Sequence, residues 1–100
     1  MNQTALSTPV ALGPELTIAH AAEHRERLLR ALADAEADAE LQLDLAGVSD
    51  CDSSGVQLLL ATQQSLQARG QALALLRPSL AVQQALATFG LAGRWADPSR

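Results

Sequence analysis

The chain contains no lysine and no tyrosine, and it holds one cysteine, one tryptophan and one phenylalanine in 100 residues. With Cys51 as the single thiol, no internal disulfide can form and no Cys/His metal cluster can be built, which fits a reducing compartment. The shortage of aromatic rings removes the stacking platforms used to bind single-stranded nucleic acid or sugars. Lysine is missing from every glycine-rich segment, so a phosphate-binding loop of the type ending in lysine is excluded, and no Gly-x-Ser-x-Gly elbow occurs. Seven arginines against eleven acids give a net charge of −4 and a pI near 4.9. A phosphate backbone is therefore a poor partner. Apolar runs such as Leu58-Leu59-Leu60-Ala61 fall far short of the roughly 20 residues needed to cross a bilayer. The first residues lack the basic start, apolar stretch and cleavage site of a secretory signal, so a cytoplasmic protein is expected.

What the chain has in abundance is alanine and leucine, 20 and 19 residues respectively, which predicts an aliphatic core. One hundred residues suffice for one domain. Residues 1–8 read as a tail or edge strand closed off by Pro9, residues 9–95 as the domain and residues 96–100 as a second tail. Val10 to Leu12 and Glu15 to Ile18 read as short strands around a Gly13-Pro14 turn. From His20 to Ala37 the apolar residues Leu28, Leu29 and Leu32 fall at helical spacing, with charges on the other face. Leu41, Leu43 and Leu45 alternate with polar residues as in a strand, and residues 46–50 have loop composition. Val56, Leu59, Leu60 and Leu66 form a second helical stripe ending at Arg69-Gly70. Leu73 to Leu76 reads as a buried strand, Ser79 as an N-cap, and Val82, Leu86 and Phe89 as the inner face of a last helix stopped by Gly90. This order of strands and helices predicts an α/β domain, with a small, mixed, mostly parallel sheet packed by about four helices.

In such a sheet, functional groups gather where a strand end turns into a helix. The segment Asp50-Cys51-Asp52-Ser53-Ser54-Gly55 occupies that place. Ser54 with Gln57 three residues later matches a capping box, which predicts that Ser54 caps the helix and leaves Ser53 one residue outside it with a free hydroxyl. From the residues alone a capping role and a functional role for Ser53 stay equally open.

The run from Val48 to Leu60, with its Asp52-Ser53-Ser54-Gly55 element, resembles the signature of the STAS domains, named for sulphate transporters and anti-sigma factor antagonists. Glu15-Leu16-Thr17-Ile18-Ala19 and the segment Leu73 to Leu91 resemble other parts of that family, so that the likeness covers most of Leu12 to Leu91. It departs at Thr17, at Pro9 and at Cys51. The resemblance implies a non-enzymatic regulatory binding module like the stand-alone anti-sigma factor antagonists. In these the serine after the aspartate, here Ser53, is phosphorylated by a serine kinase that doubles as the anti-sigma factor. It further implies a partner-binding face of Asp50, Asp52, Ser53, Ser54 and Gly55, with no cofactor. Accessory subunits docked on the ABC ATPase of a phospholipid-trafficking transporter, and chemotaxis-associated STAS proteins, share the pattern and give the alternative reading.

Other chemically capable residues have simpler explanations. Cys51 reads as a small buried apolar residue whose acidic neighbours disfavour a thiolate. His20 and His24, four residues apart, suit a solvated helix start better than a metal site, since no third ligand follows. A Ser53 nucleophile assisted by either histidine is the remaining enzymatic reading, and it lacks the surrounding motif.

Overall fold

A computed structural model describes residues 9–35 and 40–95. The elements, in order, are β1 (Val10–Ala11), β2 (Glu15–Leu16), a 3₁₀ turn (Ile18–His20), α1 (Ala21–Asp34), β3 (Leu41–Asp44), β4 (Asp50–Cys51), α2 (Ser53–Ala68), β5 (Leu73–Leu76) and α3 (Leu80–Thr88). The tails expected over residues 1–8 and 96–100, and the end of the first amphipathic segment at residues 36–39, lie outside the described residues.

Leu41 and Leu43 are buried while Gln42 and Asp44 are half-buried, the alternation that the period-two pattern predicts for a strand. β3 lies between β1 and β5 in a three-stranded sheet, and β2 pairs with β4 in a separate two-stranded one. Among the described residues every pairing is parallel, where the sequence pattern predicts a mixed sheet. Three α-helices and one 3₁₀ turn take the place of about four helices. Each parallel pair needs a crossover, and α1 lies in the connections from β1 to β3 and from β2 to β4, while α2 lies in that from β3 to β5.

Leu16, Leu43, Leu45, Val48, Leu59, Leu66 and Val82 are wholly buried, and each contributes about 1.5–3 kcal/mol by leaving water. The core is aliphatic, as the composition predicts. Arg69 donates from Nη1 to the Leu32 carbonyl at 2.9 Å and joins the ends of α2 and α1. Ser79 caps α3, its hydroxyl accepting the Val82 N–H at 3.3 Å. Two expected inner-face residues are instead exposed, Leu29 on α1 and Phe89 at the C-cap of α3. Phe89 follows the last helical residue, so the 3.6-residue period that buries Val82 and Leu86 no longer sets its direction. His24, expected at a solvated helix start, is buried, and its Nε2 donates to the Glu15 carbonyl at 2.7 Å. Burial is tolerated because that bond satisfies the ring and ties α1 to β2.

Candidate functional site

The site is built on the β2–β4 ladder, in which Glu15 pairs with Asp50 and Leu16 with Cys51. The Asp52 N–H continues the ladder by donating to the Leu16 carbonyl at 3.3 Å. Asp52 has an extended backbone, and its carboxylate caps α2 through Oδ1, which accepts the N–H of Ser54 at 2.9 Å and of Gly55 at 3.3 Å. Oδ2 reaches in another direction and accepts the Ile18 N–H at 3.0 Å. One carboxylate thus fastens the 3₁₀ turn to the start of α2. The Ile18 N–H, with those of Gly55 and Ser54, holds the Asp52 carboxyl below the ordinary aspartate value of 3.8.

This geometry corrects the expected cap. Asp52, not Ser54, takes that position, and α2 begins at Ser53 rather than after it. Aspartate and serine cap about equally well. The choice falls to Asp52 because its second oxygen also satisfies the Ile18 N–H, a bond the shorter serine side chain at residue 54 does not make. Ser53 is exposed on the first turn of α2, and its hydroxyl makes no hydrogen bond among the described residues. Asp50 is exposed, while Asp52 and Ser54 are half-buried. Gly55 is buried where a Cβ would lie 2.3 Å from the Leu16 carbonyl oxygen and 3.1 Å from Cys51 Sγ. Its missing side chain lets α2 press against β2 and so brings the other residues together.

The same packing sets the state of Cys51. Burial first, then the charges of Asp52 and Asp50, push its thiol up to about 11, so that it stays protonated at neutral pH. Asp52 is a weak base with its oxygens committed to backbone N–H groups. It is poorly suited to activate the adjacent Ser53 hydroxyl.

Ile18 is the residue that the sequence pattern does not single out. Its side chain is 73 % exposed although its backbone is tied to Asp52. The Ile18 backbone is thus fixed next to the α2 cap while its side chain stays in solvent. Glu15 and Glu23 flank the turn, each within ion-pair distance of His20 at 3.2 and 3.3 Å.

The cap gives a stability prediction. Asp52→Ala is expected to lower the thermal midpoint by several degrees at neutral pH, and Ser54→Ala to leave it almost unchanged. Asp44 is likewise held below its ordinary value, by the Ala46 N–H and by Arg77. Both carboxylates take up protons less readily folded than unfolded. Their stabilisation is therefore complete above about pH 4 and is lost as the pH falls through their lowered folded values. Melting curves across that window should show a shallower acid loss for Asp52→Asn than for the parent. Equal slopes would mean that the Asp52 charge contributes nothing to the cap.

No curated protein and no solved structure matches the chain. Among the described residues no helix is long and apolar enough to cross a membrane. A family model described as "Mlab, STAS domain" does match, over residues 2–95, a span holding the paired strands, the Asp52 cap and all three helices. STAS domains are in general non-enzymatic regulatory modules that act through protein–protein contacts. By this match, which spans nearly the whole chain, the protein belongs to the STAS domain family.

Proposed function

We propose that the chain is an anti-sigma factor antagonist whose face around Ile18, Asp50, Asp52, Ser53 and Ser54 docks on a serine kinase that is also the anti-sigma factor. Phosphorylation of Ser53 switches the contact off. The observation that carries this reading is the division of labour at the start of α2. Asp52 supplies the cap, and the Ser53 hydroxyl is left exposed and uncommitted. Ser54 is half-buried one residue further into the helix and is less accessible to a kinase. Phosphopeptide mapping after incubation with the partner kinase and ATP is expected to place the label on Ser53. Label on Ser54, or label persisting in Ser53→Ala, would overturn the assignment.

A second reading is favoured by Ile18. A large apolar side chain exposed at this face suits a surface that is permanently covered, as in a subunit docked on an ABC ATPase. In that case Ile18→Asp would disrupt the complex, no phosphate would be found on Ser53, and Ser53→Asp would leave the complex intact.

A further inference from the structure

The residues that follow α3 form a short strap, and the way it is fastened sets how it can move. Leu91 is the anchor, with its side chain packed on the core and its N–H donating to the Leu86 carbonyl at 2.7 Å. Ala92 and Gly93 are exposed, and a Cβ on Gly93 would meet nothing within 4 Å. Beyond them Trp95 is partly buried against the core and walls one side of a cleft of about 280 Å³, whose other walls include Leu75, Gln83 and Leu86. Among the described residues, one side-chain hydrogen bond ties residues 91–95 to another element: Arg94 Nε donates to Gln63 Oε1 on α2 at 2.7 Å. The Arg94 guanidinium carbon also stands 5.7 Å from the centre of the Trp95 ring, so the group that reaches α2 covers the indole as well.

The closed position has a defect. Trp95 Nε1 is shielded from solvent and has no acceptor among the described residues, whereas buried donors are nearly always paired. Gln83, on the same cleft, donates from Nε2 to the Pro78 carbonyl at 2.8 Å, and the indole does not use its acceptor oxygen. Such a donor regains a hydrogen bond as soon as water reaches it. Ring packing and the Arg94 bond hold the strap down, and the indole N–H works against them.

We infer that residues 92–95 are a flap over this cleft, hinged at Ala92-Gly93 and latched by the bond from Arg94 to Gln63. Opening breaks that bond and the turn in which the Arg94 N–H donates to the Leu91 carbonyl at 3.0 Å. It gives the indole to water and takes away the wall beside Leu75 and Leu86, while Leu91 and the sheet stay in place. Segments held by few buried contacts open at a lower free energy than the whole fold. Access to the cleft is thereby set by one exposed arginine and its single partner.

Trp95 is the only tryptophan, so its indole proton is a single NMR resonance that reports the flap directly. Because Nε1 is closed to solvent, that proton exchanges with deuterium only through opening. It is expected to be less protected than the amides of the core residues Leu43 and Leu59, and its protection should change little in dilute urea, since a flap exposes little surface. Gln63→Ala should lower the indole protection about three- to tenfold, the range of one hydrogen bond. Arg94→Ala should lower it at least as far, and the double variant no further than Arg94→Ala, because the two residues share one bond. The flap is refuted if the indole proton and the core amides show equal protection with equal urea dependence. The latch is refuted if Gln63→Ala leaves the indole protection unaltered, or if the effects of the two substitutions add.

Discussion

Gly55→Ala is expected to lower the unfolding free energy by about 2 kcal/mol or more, although alanine is the better helix former. The gain in helix propensity is about 1 kcal/mol. Against it stands a methyl group placed 2.3 Å from the Leu16 carbonyl oxygen and 2.8 Å from Leu16 Cγ. A backbone oxygen cannot swing aside as the end of a long side chain can, so the overpacking cost lies at the upper end of the usual range, about 3 kcal/mol or more. Gly55→Val adds further carbons to the same contact and is expected to leave little folded protein, given the marginal stability of small domains. Gly47→Ala is the control, because a Cβ there would meet nothing within 4 Å. Urea denaturation of the three variants separates the effects. If Gly55→Ala proved as stable as Gly47→Ala, the close approach of α2 to β2 would be wrong.

This contact also shows where the sequence stops being legible. The 3.6-residue stripes of α1 and α2, the alternation in β3 and the apolar run of β5 are local signals, and each appears in the fold close to where the pattern puts it. β4 is different. It is two residues long and exists by pairing with β2, some 35 residues earlier, so Asp50 and Cys51 carry no local periodicity and Asp50 reads as the end of a loop. The cap, which the capping-box pattern assigns to Ser54, falls to Asp52 for a related reason. Asp52 and Ser54 are both good capping residues, and what decides between them is the Ile18 N–H, supplied from a distant part of the chain. The exposure of Ile18 and the burial of His24 likewise run against their ordinary preferences. Each depends on a tertiary bond, Ile18 to the Asp52 carboxylate and His24 to the Glu15 carbonyl.

The second large effect expected is on partner binding. Phosphorylation of Ser53 should weaken the complex with the kinase a hundredfold or more while leaving the circular dichroism spectrum of the domain intact. The phosphate adds about −1.5 to −2 charges. A helix N-terminus would ordinarily welcome them, but the Ser54 and Gly55 N–H groups are already bound by Asp52, and Asp50 and Glu15 lie on the adjoining strands. The dianion thus gains little from its own helix. Because Ser53 is exposed and its hydroxyl is unbonded among the described residues, the fold loses no contact either. The cost falls on the interface, where an uncompensated charge in a site shaped for a neutral hydroxyl costs several kcal/mol, and each 1.4 kcal/mol, roughly, is tenfold in affinity. Calorimetric titration of the phosphorylated, unmodified and Ser53→Asp proteins against the kinase tests this, with Ser53→Asp expected between the other two. Equal affinity of the phosphorylated and unmodified proteins would refute release by charge, and loss of helical signal on phosphorylation would point to refolding instead.

The bond from Asp52 to residue 18 is made to the main chain, and that has a consequence for how such a surface can diversify. The carboxylate grips an amide that every residue except proline possesses, so the side chain at position 18 is presented without being consulted. Isoleucine could give way to another residue there, and the turn, the cap and the first turn of α2 would still be assembled in the same way. The identity of side chain 18 is therefore separable from the bond that assembles the turn. Asp52 and Gly55 are fixed by what holds the fold together, whereas on the proposed docking face residue 18 can change in a single substitution without disturbing it.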